Sequence, residues 1–187
     1  MNKKVKEYVK SDYLRYEKKY SKLSVIKEFI RNKAFSYSVL MRAYKVYKDE
    51  NKKIMAKIIR IIHKLLFLNS TIEIPLDVEV GKGLYMVHFS GITINPKAII
   101  GNNVNIHKGV TIGQENRGKR KGAPTIGNKV WIGINSTIVG NITIGDNVLI
   151  SPNSFVNFDV PSNCIVIGDK IKKCINATEE YINNIVV

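Results

Sequence analysis

Three histidines, at positions 63, 88 and 107, are the side chains in this sequence best suited to moving protons near neutral pH. His88 lies in Gly83-Leu-Tyr-Met-Val-His88-Phe-Ser-Gly91, and His107 in Val104-Asn-Ile-His-Lys-Gly-Val-Thr-Ile-Gly113. A positioned imidazole can take the proton of a hydroxyl as that hydroxyl attacks a carbonyl carbon. His63 sits among Lys57, Arg60 and Lys64 in an apolar stretch and carries no such expectation. Cys164 and Cys174 are too few for a disulfide framework.

The elements that must position these histidines fall into two halves with different periods. Residues 3–69 lack Pro and Gly and alternate charged with apolar positions, which predicts helices. In the stretch Lys52 to Leu68, Lys57, Arg60 and Lys64 form a narrow basic stripe beside a wide apolar face. From about Ile74 the period becomes six. Its clearest run is Ile126-Gly127, Ile132-Gly133, Ile138-Val139, Ile144-Gly145, Ile150-Ser151 and Val156-Asn157; Ile94, Ile100, Ile106 and Ile112 precede it. A six-residue period fits a solenoid of short strands and tight turns, three hexads to a triangular coil. The aliphatics are expected to stack along the coil axis, with the following Gly, Asn or Asp at corners needing positive φ. Between Ile112 and Ile126 fourteen residues interrupt the repeat, so 114–124, polar and basic, is expected to leave the stack as a loop. The expected division is a basic α-helical segment at 1–70, a solenoid domain at 71–170 and a helical C-terminal tail at 171–187.

The formal net charge is +15. Residues 1–70 hold 19 basic and 6 acidic residues, and the remainder is nearly neutral. Three readings of the basic segment stay open: a solvated helical cap, a face for an anionic membrane surface, and attraction to an acidic polysaccharide. No base-reading motif accompanies the charge, so no nucleic acid partner is expected. The apolar run 54–68 is interrupted by charge and too short to span a bilayer. With no visible signal peptide, a cytoplasmic protein is expected, possible attachment to the inner membrane face aside.

The hexads, with Val130-Trp-Ile-Gly133 and Ile138-Val-Gly-Asn-Ile-Thr-Ile-Gly145, resemble those of the hexapeptide-repeat acyltransferases. The segments around His88 and His107 resemble the serine acetyltransferase branch, over roughly residues 71–170. The resemblance implies a mainly β fold, a left-handed parallel β-helix, assembled as a homotrimer with its active sites between subunits. It implies an acetyl-CoA-dependent, metal-independent O-acetyltransferase. His88 would be the general base and Glu73, fifteen residues earlier, the carboxylate orienting it. Acetyl-CoA would lie along Gly113 with Gln114, Gly133 with Ile134, and Ser151 with Pro152, with Lys170 (and Lys172 and Lys173) near its phosphates. Val87, Ser90, His107, Arg120 and Lys121 would face the acceptor. The γ-carbonic anhydrases share the β-helix but need three zinc-binding histidines, a pattern absent here.

Two departures bear on the acceptor. Serine acetyltransferases place an Asp just before the catalytic His to hold the substrate ammonium; here that residue is Val87. Their Arg-His pair, which meets the substrate carboxylate, falls on Gly122 and Ala123. These absences favour a sugar hydroxyl of a capsular polysaccharide or exopolysaccharide, or its precursor, as acceptor. The alternative is serine O-acetylation in cysteine biosynthesis.

Overall fold

The computed structural model describes residues 2–16, 19–183 and 185. Four helices come first: α1 (Lys3–Tyr16), α2 (Lys22–Arg31), α3 (Lys33–Asp49) and α4 (Lys53–Leu66). No Pro or Gly separates α2 from α3. Asn32 breaks the chain there by adopting an extended backbone, while its Oδ1 accepts from the N–H groups of Ala34 and Phe35 and so caps α3.

The solenoid follows in four coils of three strands. They are β1 (Glu79–Val80), β2 (Tyr85–Val87) and β3 (Thr93–Ile94); β4 (Ile99–Ile100), β5 (Asn105–His107) and β6 (Thr111–Gly113); β7 (Thr125–Ile126), β8 (Trp131–Ile132) and β9 (Thr137–Val139); and β10 (Thr143–Ile144), β11 (Val148–Ile150) and β12 (Phe155–Val156). The corresponding strands of successive coils pair in parallel, giving three faces: β1-β4-β7-β10, β2-β5-β8-β11 and β3-β6-β9-β12. Ile106, Ile112, Ile132, Ile138, Ile144 and Ile150 are fully buried along the axis, as the six-residue period predicts. Each such side chain contributes about 1.5–3 kcal/mol.

Two expectations need correction. The glycine after each axial aliphatic is there for close approach rather than for positive φ. A Cβ on Gly133 would lie 2.5 Å from the Pro152 nitrogen, and one on Gly127 would lie 2.5 Å from an Asp146 oxygen. The left-handed residues come later in the corners, at Asn103, Asn135, Asn147 and Asn153. Nor do the described residues of the tail form an α-helix. β13 (Cys164–Ile167) extends the second face and turns back through Gly168-Asp169 into an antiparallel β14 (Lys170–Lys173). Gly168, at φ +63°, supplies the left-handed first turn residue that a two-residue hairpin uses.

The helices are bolted to the first coil. Ala34, Tyr37 and Met41 of α3 join the solenoid core, and the Tyr37 hydroxyl donates to the Ile74 carbonyl at 2.7 Å. The Asp12 carboxylate, fully buried, accepts from Arg42 Nε at 2.9 Å and from the Leu84 N–H at 3.0 Å, while Arg42 also donates to the Val80 and Gly81 carbonyls. Around α4, Ile54, Met55, Ile58, Ile61, Ile62, Leu65 and Leu66 are exposed in the single chain. Among the described residues no helix is long and apolar enough to cross a membrane.

Candidate active site

His88 stands on the edge where the second face turns into the third. Met86 pairs with Ile106 and Ile94 with Ile112, yet the first coil spends eight steps between those positions where the second spends six. Two extra residues therefore enlarge this corner and push His88 out to solvent. His88 takes a left-handed backbone, φ +53°, as does Gly91 at +63°. A non-glycine residue in that region carries strain that surrounding packing must hold. Phe89 supplies it: its ring packs at 5.3 Å from Tyr37 and 6.0 Å from Phe67. The break in spacing from Met86 to Ile94 was a visible signal of this enlarged corner, and the sequence reading missed it.

On the next rung His107 pairs in register with Val87. Its ring lies 4.6 Å from Trp131, and both ring nitrogens are buried without a hydrogen-bond partner. Burial, and secondarily the nearby His88, hold its pKa below the ordinary imidazole value. His107 is thus neutral at pH 7 and lacks the open position that proton transfer to an acceptor needs.

His88 lines a groove of about 470 Å³. Tyr16, Glu28, Arg31, Lys33, Val87 and Phe89 are among the residues lining it. The Tyr16 hydroxyl lies 3.2 Å from the Met86 N–H, which donates to it, so α1 fixes the strand that delivers His88. Ionisable groups from the helices flank the base, and sequence reasoning found none of them.

Glu73 is placed differently from the expected dyad. No hydrogen bond joins it to His88. Its backbone N–H donates to the Ile92 carbonyl and its carbonyl accepts from Ile94, which pins Glu73 beside β3, beyond the corner from His88. There it lines a separate groove with Thr93, Asn95 and Gly113. Ser90 is exposed beside His88, its Oγ 3.4 Å from Thr71 Oγ1, and the neighbouring Gly91 N–H donates to Thr71.

The remaining expected residues divide between two edges. Ile134 with Gly133, and Ser151 with Pro152, follow β8 and β11 on the His88 edge, stacked above His107. The Gly133 N–H donates to Ile150 and the Asn153 N–H to Ile134. Gly113 ends β6 and Gln114 follows it on the next edge, at the foot of the 114–124 loop. That loop is closed at its base by paired bonds between Glu115 and Gly122 and docks through the Arg120 carbonyl on the Asn141 N–H. Arg120 and Lys121 are exposed on it, away from the His88 edge of their own chain. Lys170 opens the exposed strand β14, with Lys172 and Lys173. Among the described residues no cluster of His, Cys, Asp or Glu could hold a metal ion.

The family described as bacterial transferase hexapeptide (six repeats) matches residues 123–157. A Helicobacter pylori serine acetyltransferase is 33% identical over 129 residues, 69% of this chain and 75% of the relative. The chain belongs to the serine acetyltransferase family. A second serine acetyltransferase, from Synechococcus elongatus, is 38% identical over 109 residues, 58% of this chain; the match spans less than half of that relative, 45%. Among solved structures, a Neisseria gonorrhoeae serine acetyltransferase in complex with serine superposes with a TM-score of 0.71 at 27% identity, covering 91% of this chain and 69% of the other. The soybean serine acetyltransferase apoenzyme gives a TM-score of 0.70 at 26% identity, covering 91% and 69%.

These relatives overturn the glycan acceptor expected from the sequence. They are serine acetyltransferases rather than polysaccharide O-acetyltransferases, and nothing ties the chain to capsule synthesis. The expectation rested on Val87, Gly122 and Ala123, positions along the solenoid. It took no account of charged side chains brought to His88 by the helices of the serine acetyltransferase fold.

Proposed function

We propose that the protein is an acetyl-CoA-dependent serine O-acetyltransferase with His88 as general base. The observation that carries this reading is an imidazole held out on an enlarged solenoid corner, lining a groove that bears charges of both signs. His88 takes the proton of the serine hydroxyl as its oxygen adds to the thioester carbonyl. Collapse of the tetrahedral intermediate breaks the C–S bond, and the imidazolium returns its proton to the departing thiolate. The products are O-acetylserine and free CoA. Acetyl-CoA supplies the acyl group and would run up the His88 edge along Gly133, Ile134, Ser151 and Pro152, where Gly133 and Ser151 keep the side-chain wall low. Lys170 would stand near the phosphates as a cation.

The coils wind left-handed in this proposal, and the working unit is a homotrimer. Two observations support assembly. Gly113, Gln114 and the 114–124 loop occupy a different edge from His88, so a neighbouring copy must bring them to the base. The exposed aliphatics of α4 are an apolar face that association would cover.

The test is thiol release from acetyl-CoA with L-serine, by the full chain and by His88→Ala. Serine-dependent release lost in the variant is expected. Undiminished turnover by His88→Ala, or no serine turnover by the unaltered protein, overturns the reading.

A further inference from the structure

We propose that Glu28 and Arg31, on α2, hold the acceptor amino acid beside His88, Glu28 taking its ammonium and Arg31 its carboxylate. The inference rests on serine being the acceptor. The solenoid positions where these contacts would otherwise fall are uncharged: Val87 is apolar and half-buried, and Gly122 and Ala123 have no functional group. A zwitterion still needs a partner for each charge when it leaves water.

The groove lined by His88 has such partners on its helical wall. Glu28 and Arg31 are one turn apart on α2 and so lie on one helix face. Glu28 is pre-set. Its Oε1 accepts from Asn32 Nδ2 at 2.7 Å, and Asn32 is itself fixed as the cap of α3. That leaves Oε2 for a ligand. Beside it in the groove stands the half-buried Tyr16, whose phenol is pushed up mainly by burial, with a small contribution from the Glu28 charge, and accepts from the Met86 N–H on the strand before His88. Arg31 is exposed and forms no ion pair among the described residues. Its planar fork matches a carboxylate bidentately. Val87 lines the same groove and offers the single methylene of serine an apolar surface.

Three acceptors separate the two contacts: L-serine, ethanolamine without the carboxylate, and 3-hydroxypropanoate without the ammonium. Thiol release from acetyl-CoA is measured for the full chain, Glu28→Gln and Arg31→Met. Glu28→Gln should raise KM for serine and ethanolamine roughly ten- to a hundredfold and leave 3-hydroxypropanoate unchanged. Arg31→Met should raise KM for serine and 3-hydroxypropanoate by a similar factor and spare ethanolamine. KM for acetyl-CoA should hold in both, and Glu28→Asp and Arg31→Lys should recover part of the loss. Wild-type KM for serine in both variants, or an equal loss against all three acceptors, overturns this assignment while leaving serine acetylation standing. A parent protein that does not acetylate serine removes both.

Discussion

Asp12 and Arg42 form a buried ion pair that fastens two helices to the first solenoid coil. The carboxylate, on α1, accepts from Arg42 Nε and Nη2 and from the Leu84 N–H just before β2, while the guanidinium, on α3, reaches the carbonyls of Val80, which ends β1, and of Gly81. With 0% and 5% side-chain exposure the pair is shielded from water, and each charge depends on the other. Asp12→Ala would strand a buried guanidinium and should destabilise the protein by about 3–5 kcal/mol. Chemical denaturation reads that loss. A shift in midpoint no larger than that of a surface substitution would show that the clamp contributes little. Because Leu84 leads into Tyr85–Val87 and His88, the same variant should also lower kcat before global unfolding sets in.

Acid should weaken the fold through two histidines held neutral. His63 packs on Tyr37 at 4.5 Å and on Phe67 at 5.1 Å; His107 packs on Trp131. Burial lowers both pKa values, with His88 adding to the effect at His107. The unfolded chain binds these protons near pH 6.5 and the folded chain only at lower pH. Their contribution to stability is therefore complete above about 6.5 and is lost as pH falls from there through the folded values. His107→Phe should flatten the decline in denaturation midpoint between about pH 7 and 5. An unaltered slope in that variant, with His63 intact, would exclude His107 from it.

The solenoid was legible because one residue in six must be aliphatic to fill its axis, a demand local enough to show in the spelling of the chain. Ile132, Ile138, Ile144 and Ile150 sit where that demand places them. Its glycines were legible as positions but not as causes: Gly127 and Gly133 answer to atoms one coil away, which a linear reading does not bring near. The split of the helices at Asn32 depends on a cap rather than on Pro or Gly, and the β13–β14 hairpin depends on a partner strand. His88 was legible through its motif. Glu28 and Arg31 were not, because some sixty residues separate them from the base and only the docking of α2 closes that gap.

Gly133 offers a test of how tightly the acyl-donor edge is packed. An added methyl would meet the Pro152 nitrogen at 2.5 Å and the Ile150 carbonyl at 2.8 Å, backbone atoms that cannot swing aside. Gly133→Ala should cost about 1–3 kcal/mol in stability through overpacking. If acetyl-CoA runs along this edge, the same change should raise its KM while leaving KM for serine nearly as it was. An unchanged KM for acetyl-CoA in a folded Gly133→Ala protein would move the donor groove elsewhere.

The separation of His88 from the 114–124 loop yields a test that needs no structure of the assembly. One variant, His88→Ala, lacks the base but keeps the loop; a second, with 116–121 replaced by a short glycine linker, keeps the base but lacks the loop tip. Each alone should be nearly inactive. If a site draws its base from one copy and its loop from the next, mixed trimers contain sites in which both are intact. Random exchange between equal amounts should restore about a quarter of full activity, since each site draws two independent halves from a closed ring. Mixing after subunit exchange, by mild denaturation and refolding together, reads this directly. If the mixture is no more active than its components, either every site forms within a single copy or the loop takes no part in the chemistry. The activity of the loop variant by itself decides between those two, since a loop that takes no part leaves it high.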